Sequence, residues 1–202
     1  RAAPPRCSPP CSSARGLDRA APGDSETQWS RLAARYLRKE FAVKKSVKRA
    51  TVHIAGMGLY ELFINGQRIG NQVLAPAPTD YRKTILYNTY DVTPQLRKEN
   101  AIGVTLGNGR FYTMRQNYKP YKIPTFGYPK LRLNLIVEYM DGSKETIATN
   151  TSWKLTTEGP IRSNNEYDGE EYDARKELGA WTQTGYDDKN WMPAQRVSIP
   201  SG

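Results

Sequence analysis

Four carboxylates crowd one short stretch of this sequence: Asp168, Glu170, Glu171 and Asp173. Two chemistries use such a cluster. Cleavage of a glycosidic bond needs one acid with a raised pKa and one ordinary carboxylate, about 5–10 Å apart across the sugar. A calcium ion takes about six to eight oxygen ligands, backbone carbonyls included. An extended chain points alternate residues to opposite sides. Asp168 and Glu170 then share one side, and Glu171 and Asp173 the other, so neither pair flanks a substrate. The spacing also differs from that of a helix–loop–helix calcium loop. Three roles stay open: calcium ligation, sugar contact, and loop fixing, with Asp173 paired to Arg175 and Glu170 or Glu171 accepting backbone N–H groups.

A second constellation runs from Asn108 through Gly109, Arg110, Phe111 and Tyr112, and continues with Asn117, Tyr118, Tyr121, Phe126 and Tyr128. Sugars are held by an aromatic face against the apolar side of the ring and by planar amide, carboxylate or guanidinium groups at the hydroxyls. Asn108, Arg110 and Asn117 supply the planar groups; Phe111, Tyr112 and Tyr118 supply rings. The connection from Arg110 to Pro129 is longer than is usual, as functional loops often are. The same rings are equally suited to covering a sheet edge or a neighbouring domain. Asp80, after a Pro-rich turn, is a further sugar or metal ligand candidate, although Asp commonly caps turns. His53 is the only histidine and is expected on an outward strand face without a role.

Strands must position these groups. Leu37, Phe41 and Val43 alternate, as do Ala50, Val52 and Ile54, then Tyr60, Leu62 and Ile64. Further sets are Ile85, Tyr87 and Thr89; Ile102, Val104 and Leu106; and Leu131, Leu133, Leu135, Val137 and Tyr139. Period two marks half-buried strands. Asn65-Gly66 and Asp141-Gly142 read as hairpin turns, the first of type I′, in which both residues take positive φ. Thr93 to Leu96 offers one helical turn, with Thr93 as N-cap and Pro94 in the first position. Many short strands without a βαβ rhythm indicate an all-β jelly-roll or galactose-binding-like sandwich.

Residues 1–33 differ in kind from residues 34–198, the expected sandwich domain. The tail is rich in Ala, Pro, Arg and Ser, and the first lysine of the chain is Lys39. Such composition is expected to be disordered; the tail is either foreign to the domain or a natural linker. Cys7 and Cys11 lie within it, a poor zinc site for want of a second pair or a nearby histidine. The net charge of +10 raises nucleic acid as a partner. The basic residues are scattered, however. Their densest run, Lys44-Lys45 and Lys48-Arg49, reads as a solvated loop, and no nucleic-acid-binding signature accompanies it. No apolar run reaches the roughly 18 residues of a membrane span, and none has the form of a signal-peptide core. Export would depend on sequence outside these residues.

Taken together, Gly58-Leu59-Tyr60-Glu61-Leu62-Phe63-Ile64-Asn65-Gly66, Leu74-Ala75-Pro76 with Thr79-Asp80-Tyr81-Arg82-Lys83, Tyr87-Asn88-Thr89-Tyr90-Asp91-Val92-Thr93 and Tyr167 to Arg175 are specific. In order and spacing they resemble the N-terminal sandwich domain of bacterial α-L-rhamnosidases, over about Tyr36 to Val197. The resemblance implies a glycoside hydrolase whose hydrolytic carboxylates sit downstream on a separate α/α-barrel. The sandwich would assist recognition of rhamnose-containing glycans or support the barrel, and related jelly-roll modules bind L-rhamnose with calcium. On that basis the chain alone is expected to be inactive; rival readings are a fragment carrying the parent's hydrolysis of terminal α-L-rhamnose, and a purely structural docking domain. Arg110 stands where many relatives carry tryptophan, which removes one stacking ring and leaves Phe111 and Tyr112 as substitutes.

Overall fold

Alternation of apolar and polar side chains becomes two facing sheets in the computed structural model, which describes residues 32–112, 126–166 and 168–197. Strand β1 spans Arg35–Ala42, β2 Val47–Met57, β3 Leu59–Ile64, β4 Gln67–Ile69, β5 Asn88–Asp91 and β6 Glu99–Gly107. They are followed by β7 at Lys130–Tyr139, β8 at Lys144–Ala148, β9 at Lys154–Thr156, β10 at Ile161–Asn165, β11 at Gly169–Tyr172 and β12 at Met192–Pro193. One sheet has the order β12-β9-β1-β6-β3-β4, the other β5-β2-β7-β8, and β10-β11 form a separate hairpin. All pairs are antiparallel.

The core lies between the two large sheets. Ala50, Val52 and Ile54 of β2 and Leu133, Leu135 and Val137 of β7 meet Leu62, Ile64, Ile102, Val104 and Leu106 of the facing sheet, all essentially without exposure. Register follows from that face: Val52 sits opposite Leu135, and Leu62 opposite Val104. A slip of one residue would turn each apolar set to solvent. The β3–β4 hairpin turns at Asn65 and Gly66 with φ of 51° and 82°, as the type I′ reading requires. The β7–β8 connection is longer than a two-residue turn. Gly142 N–H donates to the Tyr139 carbonyl at 3.0 Å, and the Asp141 carboxylate accepts from Ser143 N–H at 2.9 Å.

Three local expectations change. The packed chain begins before residue 34: Leu32 is 1% exposed, and its carbonyl accepts from Asn108 Nδ2 at 2.9 Å. The strand expected from Ile85 starts only at Asn88, because Ile85 turns into an aromatic cluster around Tyr81 and Phe111. Thr93 does not cap the turn that follows it. Its hydroxyl instead accepts from Ala50 N–H at 2.8 Å and donates to Asp91 at 2.6 Å, tying the turn to β2. His53 lies on the outer face as expected, beside Thr89 at 2.9 Å.

The β10–β11 hairpin joins the large sheet through Tyr36, whose hydroxyl accepts from Ile161 N–H at 3.2 Å. Burial pushes the Tyr36 phenol up to about 12, and Tyr139, buried with its hydroxyl donating to Glu145, is also pushed up to about 12. The folded state therefore holds protons that the unfolded chain releases from about pH 10 upward. The stability these two phenols contribute is fully present below about pH 10 and is lost as pH rises from about 10 to about 12. Urea midpoints measured across that window should decline, and Tyr36→Phe should flatten the slope.

Candidate functional site

At one end of the sandwich the chain leaves β6 and enters the Asn108–Tyr112 segment. Asn108 is 2% exposed, and its amide nitrogen donates to the carbonyls of Leu32 and Asn164 at 2.9 and 2.8 Å. Asn164 of β10 returns the contact by accepting from Asn108 N–H at 2.6 Å. Phe111 is fully buried; it stacks on Phe126 at 5.8 Å and meets the edge of Tyr81 at 5.1 Å. Tyr112, 4% exposed, stacks on Tyr128 at 5.9 Å, and the Arg35 guanidinium lies 6.0 Å from that second ring. The sequence reading offered Asn108, Phe111 and Tyr112 to a sugar. Their burial corrects it: these side chains have protein neighbours on their faces and fix the end of the sandwich.

What reaches solvent is a different subset. Arg110 Nε donates to Glu166 at 3.0 Å, with side chains 45% and 29% exposed. The Tyr81 ring also meets Phe126 edge-on at 5.3 Å, which carries the preceding Asp80 turn to the same end. Arg82 lies over the Phe126 ring at 5.9 Å while its N–H and Nε donate to Asp80. Those bonds hold the Asp80 carboxyl below its usual range. Asp80 also caps its turn in the ordinary way, its carboxylate accepting from Arg82 N–H at 3.2 Å, while its backbone carbonyl accepts from the Lys83 and Thr84 N–H groups. Tyr81 and Phe126 thus join buried Phe111 to the Asp80–Arg82 turn, and Arg110 and Glu166 lie close enough to Tyr81 to act on its phenol. Glu166 was not singled out in the sequence, where nothing marks it as the partner of an arginine 56 residues away. Asn117, Tyr118 and Tyr121 lie outside the described residues.

The carboxylate stretch separates into individual partnerships. Asp168 accepts from Asn165 Nδ2 at 3.1 Å, and Glu171 from the Ser163 hydroxyl at 3.1 Å. Glu170 sits opposite Asn164 in the β10–β11 ladder. Asp173 takes Arg175 in a two-pronged pair at 2.8 and 2.9 Å and accepts its N–H as well, which pulls the carboxyl down to about 2. Among the described residues no group of three or more His, Cys, Asp or Glu is gathered as a metal ion would require. Asp80, Asp91, Glu138, Asp141, Glu158 and Asp173 are all shifted towards greater acidity by neighbouring cations, hydroxyls or N–H groups. A glycosidic general acid needs the opposite shift.

The family described as alpha-L-rhamnosidase N-terminal domain matches residues 45–202. An α-L-rhamnosidase of Formosa agariphila is 44% identical over 171 residues, which cover 82% of this chain and 18% of that protein. The solved α-L-rhamnosidase of Dictyoglumus thermophilum is 47% identical with a TM-score of 0.77, over 84% of this chain and 18% of its own. That of Streptomyces avermitilis, solved in complex with L-rhamnose, is 38% identical with a TM-score of 0.76, over 84% of this chain and 16% of its own. The chain therefore spans less than a fifth of each of these relatives. The family match begins after β1, yet β1 pairs with both β6 and β9 inside the large sheet.

Proposed function

Since this chain belongs to the α-L-rhamnosidase N-terminal domain family, we propose that it is the non-catalytic accessory module of an enzyme that hydrolyses terminal α-L-rhamnose. The observation that carries this reading is coverage. The family matched is an N-terminal domain, and the chain spans only 16 to 18% of the α-L-rhamnosidases it resembles. Bond breaking then belongs to the part of the enzyme outside this module.

The end of the sandwich bearing Arg110 contacts the rhamnose-containing glycan. Two planar groups, the Arg110 guanidinium and the Glu166 carboxylate, stand partly open to solvent. They suit the hydroxyl edge of a sugar. The relative solved with L-rhamnose makes that sugar the one to test. In calorimetric titration L-rhamnose should bind with an affinity on the order of millimolar, and Arg110→Ala should weaken it about tenfold, the worth of one hydrogen bond to a charged group. Added calcium should leave the titration unchanged. No heat at saturating sugar would remove sugar contact from the proposal.

A further inference from the structure

We propose that the loop between β4 and β5, residues 70–87, is the face on which the remainder of a full-length α-L-rhamnosidase docks, an inference that rests on the accessory-module reading above. Four of its apolar side chains stand open: Val73 81% exposed, Leu74 71%, Leu86 41% and Tyr87 65%. Elsewhere among the described residues large exposed apolar side chains occur singly, as Met140 and Tyr172. Single ones are ordinary, whereas a group in one loop marks a contact surface.

This loop is built, not slack. Both its limbs are fixed on one pair of tyrosines, Tyr60 and Tyr90, whose hydroxyls lie 3.2 Å apart. On the first limb, the Ala75 carbonyl accepts from Tyr60 N–H at 2.8 Å, and Gln72 Oε1 accepts from the Tyr90 hydroxyl at 3.0 Å. The Gln72 carbonyl also accepts from Arg68 at 2.7 Å. The second limb ends at Asn88, whose amide donates to the Tyr60 hydroxyl at 2.8 Å, just after Tyr87 meets the edge of the His53 ring. The middle is held by buried Tyr81 against Phe111 and Phe126. A backbone held at so many points presents its apolar side chains without the ordering cost that a loose loop would carry on binding.

Chemistry and area select the occupant. Val73, Leu74 and Leu86 carry no hydrogen-bonding group, so three of the four side chains suit protein better than sugar. Together the four present on the order of 400–500 Å², about half of what each partner buries in a standard protein interface. A freely diffusing second copy gains too little from such an area. A neighbour on the same polypeptide is held at high effective concentration and does not need more. The relatives match this chain over only 16 to 20% of their length, and that remainder is the neighbour.

Hydroxyl-radical footprinting read by mass spectrometry tests this on the whole chain, first alone and then joined to the remainder of the Dictyoglumus thermophilum relative. Oxidation of Leu74 and Tyr87 should fall about tenfold on joining, as for side chains entering an interface, while Met140 should be unchanged. Equal rates at Leu74 and Tyr87 in the two proteins would overturn the proposal. So would protection already present in the chain alone together with a dimeric mass, which would make a second copy the occupant. Superposition on the solved relative gives an arm independent of the joined protein. Atoms of another domain within contact distance of the positions matching Leu74 and Tyr87 support the docking face, and open solvent there refutes it. Rhamnoside turnover by the joined protein, measured on the same sample, tests the accessory-module reading separately.

Discussion

Trp153→Ala is expected to lower the free energy of unfolding by about 3–5 kcal/mol, the range for removing a buried tryptophan. Trp153 is 1% exposed and is the largest of the fully buried side chains. It stands where the chain passes from β8 at the edge of one sheet to β9 in the other, so its indole fills the space between them. The indole nitrogen donates to the Ala148 carbonyl at 3.0 Å, and the Trp153 carbonyl accepts from Ala194 N–H at 2.8 Å. Alanine keeps the backbone bond, loses the indole bond and leaves a cavity between the layers. Against a typical domain stability of about 5–15 kcal/mol, the loss is large enough to read as a fall in the urea midpoint at unchanged slope. Trp153→Phe, which fills most of the space, should recover more than half of it. Equal midpoints for Trp153→Ala and the parent chain would show that Trp153 does not join the sheets.

Arg38→Met should cost about 2–4 kcal/mol, through lost charge-assisted hydrogen bonds more than through lost volume. The Arg38 side chain is 1% exposed. Its guanidinium donates to Glu40 at 2.5 Å, to Asp188, and to the carbonyls of Trp181 and Gln183 at 2.9 and 3.0 Å, and it lies 5.3 Å from the Tyr186 ring centre. One side chain of β1 thereby holds the whole segment that covers the outer face of the large sheet. Trp181 seats on that face at Gly103, where an added Cβ would lie 2.8 Å from the indole. Arg38→Lys keeps the charge and loses the planar fork, so it should recover little. Hydrogen exchange should place the damage in residues 177–191 first, since the sandwich core lies on the opposite side of β1. Uniform exchange across the domain would argue against this role.

The sheets were legible because their signal is local. Ala50, Val52 and Ile54, and Leu133, Leu135 and Val137, need only a two-residue period to declare a buried face, and Asn65-Gly66 needs only its own φ preferences. The failures lie where a side chain's fate depends on distant chain. Arg38, between Leu37 and Lys39, reads as an outward residue of an alternating strand, and only the return of Trp181 to Asp188 buries it. Phe111 and Tyr112 have the composition of a sugar platform, but Tyr81, Phe126 and Tyr128 arrive from other segments and cover them. Thr93 carries a helix-capping hydroxyl that finds Ala50 N–H on β2 closer to hand. Asp173 with Arg175 was readable, since two residues of spacing suffice for that pair.

With rhamnoside cleavage residing outside this module, the purified 202-residue chain should leave an aryl α-L-rhamnoside intact. The expected result is release of aryl alcohol no faster than in buffer, at any protein concentration and any pH from weakly acidic to neutral. Saturable turnover that copurifies with the folded chain and disappears on unfolding would contradict it.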